Sequence, residues 1–206
     1  LSLMIRTKAL EGNQIGQEKQ NFEKIKPYID QALKASPKDV ELLTSIGYAY
    51  ETAGDYNKAL EVYNQALAIG QPTSDLYFHK GHVLFFLDRP DEGKLAYEES
   101  IKLDGDNPLT LMALGNIAST NGDLPKAYDL FKKASDAKDI SPQLKSEALT
   151  AASLVRAGEF KMTEAIDLAK QAVDTYPNFS PALATYGFLL SINGNPKDGF
   201  EYQKKA

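Results

Sequence analysis

The sequence predicts an all-α chain in which helix pairs follow one another as an array, without a single central core. Three observations predict this. Glycines recur 34 residues apart, at Gly47, Gly81 and Gly115. Small residues twelve positions further on repeat at the same interval, at Ala59, Gly93 and Ala127. Apolar residues between them fall three and four apart, as amphipathic helices require. Small residues in register on two successive helices indicate a close helix crossing that recurs along the chain.

The predicted elements follow from this register. Five repeats are expected at 40–73, 74–107, 108–141, 142–179 and 180–206, after a degenerate or partial repeat at 1–39, and 1–206 is read as one array. Their helix pairs are predicted at 39–69, 73–103, 107–137, 142–175 and 180–206. The first helix of the partial repeat is expected within Leu1–Glu11, and its second helix carries Phe22, Ile25 and Ile29.

Local signals mark the ends of these helices. Asn107, Ser141 and Ser180 each precede a proline and are predicted to cap the helix that follows. A glycine such as Gly54 in the turn between paired helices permits a positive φ. The fourth repeat has gained residues, and we predict that they lengthen its turn, at 158–163, by two and the loop before it by two.

Residues 40–139 closely resemble the tetratricopeptide repeat family, and 144–206 resemble it with insertions. The turn from Gly54 to Ala59 looks like the family's turn between helices, and Gly158-Glu159-Phe160 is similar to it. The departures are Lys80 in an apolar column, Gln203 in an aromatic one, and Gly93 and Gly199 in place of alanine. The resemblance implies antiparallel helix pairs in a right-handed superhelix, whose first helices line a concave groove that binds proteins or peptides.

The composition argues against several classes of function. The net charge of −5 and pI of about 5.2 argue against nucleic acid as the main partner, because phosphate binding needs clustered positive charge. The chain has no cysteine, which excludes disulfides, thiolate zinc sites and a cysteine nucleophile. No apolar run has the length of a membrane span, so membrane insertion is not expected. The sequence opens at Leu1 without methionine, as in a trimmed or processed piece, and leaves a cytoplasmic or an exported location open.

A binding groove is predicted from the first-helix positions that avoid both the helix crossing and the outer face. These positions are unusually apolar for a solvent-facing surface, which favours an apolar or amphipathic segment of a partner protein. The alternative is that the array buries them against one another. The predicted groove residues are Thr44, Tyr48, Phe78, His82, Phe85, Leu109, Met112, Asn116, Ser119, Ala148, Ala152, Val155 and Phe188.

Other kinds of binding or catalytic site have less support in the sequence than this groove. Some members of the family clamp a chaperone peptide's carboxylate with Lys and Asn on first helices, but only Asn116 fits that pattern here. His79 and His82 lie three apart, and groove lining is favoured over a metal site because the chain has no cysteine and Asp75, a turn away, is only a weak candidate for the further ligand. The run 104–107 resembles a calcium loop, but its closing glutamate would fall at Gly115. No catalytic constellation, phosphate loop or cofactor motif is found, so we expect neither enzyme activity nor a cofactor.

The predicted function is therefore that of a non-catalytic scaffold that holds a peptide or helix of a partner protein. Two alternatives remain open at this point: a structural protein that self-assembles through its repeat ends, and a regulatory module of a larger protein. The last predicted helix, from Pro196 to Ala206, carries Phe200 on an apolar face. End repeats need a polar cap for solubility, so we expect a homodimer through this C-terminal repeat.

Overall fold

The computed structural model describes residues 18–206, and every regular element in that part of the chain is an α-helix. The all-α prediction is confirmed. The chain divides into two compact units, an N-terminal unit ending at Asp104 and a C-terminal unit from Gly105 to Ala206. No helix within 18–206 is long and apolar enough to cross a membrane. The helix expected within 1–11 lies outside the described residues.

Within residues 18–104, the N-terminal unit contains one single helix followed by two helix pairs. Its helices are α1 (Glu18–Ala35), α2 (Val40–Thr52), α3 (Tyr56–Ala68), α4 (Ser74–Phe86) and α5 (Pro90–Leu103). The stripes spaced three and four apart face one another and form the core. Its most deeply buried side chains include Ile25, Ile29, Leu43, Ile46, Tyr63, Leu76, Val83 and Leu84.

The C-terminal unit contains three helix pairs. Its helices are α6 (Pro108–Thr120), α7 (Leu124–Ser135), α8 (Pro142–Gly158), α9 (Met162–Thr175), α10 (Ser180–Ile192) and α11 (Pro196–Lys205). Helix bounds agree with the expected helix pairs, while the division of 1–206 into repeats of one array stays a prediction.

The glycine column makes room for aromatic rings. A Cβ added to Gly47 would lie 2.2 Å from the ring of Tyr63, and one added to Gly115 would lie 2.6 Å from the ring of Phe131. Real Cβ atoms do not come this close, so even alanine would displace these rings. The same explanation holds for Gly93, since a Cβ added there would lie 2.7 Å from the Phe85 ring. Glycine replaces alanine there because a larger aromatic residue packs over it.

Turn and cap predictions hold at most positions. Gly54 has a φ of 78°, and the side chains of Asn107 and Ser141 accept bonds from the first-turn amides of α6 and α8. The prediction for Ser180 was wrong: α10 begins at Ser180 itself, after Phe179, which makes no side-chain cap. Proline at the second helical position of α10 allows the helix to start one residue earlier.

The fourth repeat departs from its prediction. Helix α8 has 17 residues where the other first helices have 13, and only three residues separate it from α9, as in the other pairs. The extra residues lengthen the helix and leave the turn unchanged. The turn residue with positive φ is Phe160, seven positions after Ser153, just as Gly54 lies seven after Gly47. Ser153, fully buried, therefore occupies the glycine column.

Candidate functional site

The predicted groove residues separate into an accessible and a buried set. Those that reach solvent are Tyr48, Phe78, His82, Phe85, Leu109, Asn116, Ser119 and Phe188. Those that are buried are Thr44, Met112, Ala148, Ala152 and Val155. These five residues are at most 7% exposed, so for them the prediction of a solvent-facing position was wrong. Whether the accessible set binds a partner stays a prediction.

The three buried residues on α8 were misplaced for one physical reason. Placing the extra residues in the turn shifted the register of the preceding helix, so that Ala148, Ala152 and Val155 were assigned to the wrong face. With Ser153 in the glycine column, the residue equivalent to Tyr48 is Leu154, one position later. Leu154 is 50% exposed. Leu154 therefore occupies the solvent-facing position on α8.

A buried carboxylate joins α2 to the neighbouring helices of the N-terminal unit. Glu51, near the end of α2, is 8% exposed. The Tyr63 hydroxyl donates to its Oε2 at 2.7 Å. His82 Nδ1 lies 2.6 Å from Oε1, and His79 Nδ1 lies 3.1 Å from Oε2. An ionised carboxylate only accepts hydrogen bonds, so both imidazoles carry a hydrogen on Nδ1. One acid thus fixes the tautomer and orientation of both histidines.

The electrostatics of this cluster favour the ionised acid. Burial alone would raise the pKa of Glu51. The hydrogen bonds from His79 and His82, the charge of His79 and the bond from Tyr63 outweigh burial and lower the pKa from 4.5 to about 2. Glu51 is therefore a carboxylate at any ordinary pH.

The histidines therefore act as donors to Glu51 through the ring nitrogen that faces it. Within 18–206 no three His, Cys, Asp or Glu residues are grouped so as to hold a metal ion. The cluster is a structural hydrogen-bond network that positions His82 beside the solvent.

An aromatic surface continues from this network. His82 is 42% exposed at its side chain, and it stacks on Phe78 at 6.0 Å and meets Phe86 edge-on at 4.9 Å between ring centroids. The three residues are four apart along α4 and share one face. Phe86 is 56% exposed and stacks on Tyr56 at 4.5 Å. We call Phe78, His82 and Phe86, with Tyr48 of α2, the His82 face.

Sequence reasoning missed Phe86 and Glu51 in this site. It named Phe85 instead of Phe86, although the spacing of four residues from Phe78 and His82 was a signal for Phe86. Phe85 packs over Gly93 and stacks on Tyr97 with ring centroids 5.5 Å apart, which makes it mainly a structural residue. Nothing in the sequence pairs Glu51 with two histidines on another helix, because that contact is long-range.

A polar cleft lies at the beginning of α2 and α4. Its volume is about 590 Å³ and its lining is Lys38, Asp39, Val40, Glu41, Thr44, Gln71, Thr73 and Asp75. Three carboxylates and one ammonium line it. We call it the carboxylate cleft. It is continuous along α4 with the His82 face, because Asp75 lies three residues before Phe78 and seven before His82.

The C-terminal unit has apolar positions of its own. Leu109 on α6, Leu154 on α8 and Phe188 on α10 are exposed. Asn116 and Leu154 occupy the position equivalent to Tyr48 and His82, and so does Phe188. This unit repeats the column without an acid and histidine network comparable to that of Glu51.

Comparison with known families identifies the repeats within residues 19–107. Family models described as tetratricopeptide repeat match residues 19–73 and 74–107. Residues 19–107 therefore match the tetratricopeptide repeat family. The recognition made from the sequence is confirmed. Tetratricopeptide repeats generally mediate protein–protein interactions, and the family consists mostly of non-enzymatic scaffolds.

Similar proteins share these repeats over part of their length. The BBSome complex member BBS4 of Bos taurus is 28% identical over 120 residues, which is 58% of this chain and 22% of that protein. The protein O-mannosyl-transferase TMTC3 of Mus musculus is 25% identical over 175 residues, 85% of this chain and 16% of that protein. The match to this chain thus spans about a fifth of the length of these relatives.

Solved structures resemble the fold. YrrB, described as a tetratricopeptide repeat protein with an unusual peptide-binding site, has a TM-score of 0.57 and 18% identity, and the match covers 89% of this chain and 97% of YrrB. At this identity the likeness concerns the helix pairs alone.

Proposed function

We propose that this tetratricopeptide repeat chain is a non-catalytic scaffold that binds a peptide or helix of a partner protein on its first-helix faces. The observation that carries the proposal is the His82 face. An aromatic–imidazole–aromatic row reaches solvent there, and the Glu51 network holds its central residue in one orientation. Preorganised aromatic residues lose little conformational entropy when they bind, which makes such a row suitable for anchoring a ligand.

The geometry suits the binding of a peptide better than the binding of a small molecule or the catalysis of a reaction. The row of three residues extends for eight positions of α4, roughly 12 Å at 1.5 Å per residue, which matches two turns of a helix or about four extended residues. In the C-terminal unit, considered by itself, Leu109, Asn116, Ser119, Leu154 and Phe188 are proposed as a separate contact surface. We propose no catalytic residue and no cofactor.

The test is peptide binding to two matched variants. Phe86→Asp places a charge on the His82 face, whereas Leu95→Asp places it on an equally exposed apolar residue of α5, away from that face. A random 12-residue phage-displayed library is selected on the purified chain, and retained peptides are measured by fluorescence anisotropy. We expect Phe86→Asp to weaken binding at least tenfold and Leu95→Asp to leave it unchanged, with equal melting temperatures. Equal binding by both variants, or no retained peptide, would overturn the proposal.

A further inference from the structure

We propose that the His82 face selects its partner segment through an aromatic side chain that carries a hydrogen-bond donor, tryptophan or tyrosine, and that this donor binds Nε2 of His82. The inference rests on the proposed function and specifies the anchor residue of the partner. It makes His82 the residue that determines specificity on this face.

The available polar atom on this face is Nε2 of His82. Among residues 18–206, the hydrogen bond of this ring is the one between Nδ1 and Glu51 Oε1, at 2.6 Å. Because the Glu51 carboxylate is buried, Nδ1 points inwards, and Nε2 on the other side of the ring points away from it. The buried side-chain atoms without a partner in that part of the chain are Ser153 Oγ and Arg156 Nε. Nε2 of His82 is not one of them, so it reaches solvent.

The hydrogen on Nδ1 decides what Nε2 can bind. A neutral imidazole has one N–H, and Glu51 holds it on Nδ1 because an ionised carboxylate only accepts hydrogen bonds. Nε2 of the neutral ring therefore carries a lone pair and accepts a hydrogen bond. The buried network thus presents one acceptor, in one orientation, to a ligand.

Aromatic rings border this acceptor on both sides along α4. The Phe78 ring stacks on the imidazole and the Phe86 ring meets it edge-on, with centroids 6.0 and 4.9 Å away. Tyr56 of α3 supports Phe86, because the two rings lie 4.5 Å apart with an interplanar angle of 9°. A further aromatic ring packs on such rings at a centroid distance of roughly 4.5 to 7 Å. The face therefore suits a ligand with an apolar ring and one polar tip.

The number of donors distinguishes the side chains that could bind Nε2. One acceptor satisfies one donor, and an indole N–H or a phenol O–H supplies one. An ammonium or a guanidinium brings several donors, and those left over would lie against phenyl rings without a partner. A carboxylate or a phosphate brings acceptors, which the lone pair of Nε2 repels. Tryptophan and tyrosine also bury a large rigid ring at a low cost in conformational entropy.

The test removes the donor from the ligand and keeps the shape of the ring. A random 12-residue phage library is selected on the purified chain at about pH 8.5, where histidine side chains in general are neutral. Each retained peptide is synthesised as selected and as a donor-free copy. The copy carries benzothienylalanine in place of the anchor tryptophan, or phenylalanine in place of the anchor tyrosine. Affinities are measured by fluorescence anisotropy.

Two variants and one measurement on the wild type complete the test. Phe86→Asp reports whether a peptide binds the His82 face at all. His82→Phe keeps a ring in the row and removes Nε2, and its melting temperature shows whether the variant folds. The nitrogen resonance of His82 Nε2 in isotope-labelled wild type moves when this atom accepts a hydrogen bond, so the test does not depend on a substitution in the network.

We expect the selected peptides to share a tryptophan or tyrosine. Loss of its donor should weaken binding to the wild type about three- to tenfold, which is the net value of one neutral hydrogen bond. His82→Phe should bind each peptide and its copy within about twofold of one another, since a double-mutant cycle isolates the pairwise interaction. The Nε2 resonance should move further with the selected peptide than with its copy.

Three results would overturn this inference and leave the proposed function standing. They are peptides that depend on Phe86 but lack tryptophan and tyrosine, equal affinity of the wild type for peptide and copy, and an equal movement of the Nε2 resonance with both. A His82→Phe variant that discriminates peptide from copy as the wild type does would also overturn it. Peptides insensitive to Phe86→Asp would overturn both proposals.

Discussion

Replacing Glu51 with glutamine should destabilise the N-terminal unit, because one side chain accepts three hydrogen bonds from two other helices. Glutamine has nearly the same shape and keeps one carbonyl oxygen. Its NH₂ group, however, would face donors where the carboxylate had presented an acceptor. At least one of the donors from Tyr63, His79 and His82 would then lose its partner in a site that is largely closed to water.

The magnitude follows from the ionisation of the acid. Lowering the pKa of Glu51 from 4.5 to about 2 corresponds to roughly 3 kcal/mol of folding free energy, at about 1.4 kcal/mol per pKa unit. Solvent that reaches His82, 42% exposed at its side chain, screens part of this. We therefore expect Glu51→Gln to lower the free energy of unfolding by about 2 to 3 kcal/mol at pH 7.

The dependence on pH separates this explanation from a packing defect. The unfolded chain protonates Glu51 near pH 4.5, whereas the folded chain holds the ionised form down to about pH 2. The unfolded state binds more protons in that interval, so the stabilisation is complete above pH 4.5 and is lost as the pH falls towards 2. The difference between wild type and Glu51→Gln should shrink over the same interval.

The assay is urea unfolding followed by circular dichroism, with hydrogen exchange of the α2 and α4 amides to report on the N-terminal unit alone. Glu61→Gln is the matched control, since Glu61 is exposed and its hydrogen-bond partners among the described residues are neighbours on its own helix, Lys58 and Gln65. It should change stability by less than about 0.5 kcal/mol. A Glu51→Gln loss that is equally small, or that stays constant from pH 7 to pH 2, would refute the reasoning.

Three further predictions concern the C-terminal unit. Gly115→Ala should lower unfolding stability by roughly 1 to 3 kcal/mol through its clash with Phe131, whereas Gly158→Ala, whose Cβ has its nearest neighbour at 3.7 Å, should be tolerated in the same urea titration. Phe160→Gly should add about 1 kcal/mol to the free energy of unfolding and so raise the melting temperature, since Phe160 is 93% exposed at a φ of 60°; an unchanged or lower melting temperature would contradict this. Phe200, 55% exposed, is the predicted dimer contact, and light scattering should show Phe200→Glu with half the mass of the wild type; equal masses would end the idea.

Much of the site's framework was readable from the sequence because helix geometry is local. Tyr48 and His82 lie on corresponding helix faces because the helix period is 3.6 residues and the repeat has a fixed length. The recurrence of Gly47 and Gly115 likewise requires a close contact at each crossing. Local chemistry also determined the turns, because a positive φ between paired helices favours glycine, as at Gly54.

The position of the extra residues in the fourth repeat could not be predicted, because the same sequence is compatible with two arrangements. They lengthen either a turn or the helix before it, and only packing distinguishes the two. Burial of Ser153 and exposure of Leu154 show that the extra residues lie in helix α8. A helix extended by about one turn keeps its buried stripe and its hydrogen bonds, whereas a longer turn would leave backbone groups without partners.

The sequence by itself determined the helix pairs and the family, since both depend on short-range spacing repeated along the chain. The tertiary structure alone decided which residues come together in the candidate site. Glu51 is 28 residues from His79 and 31 from His82, and its acid meets both only after α2 and α4 pack side by side. No local preference encodes such a contact. Its free energy comes from removing a charge from water and supplying three donors in return, which happens only in the folded chain.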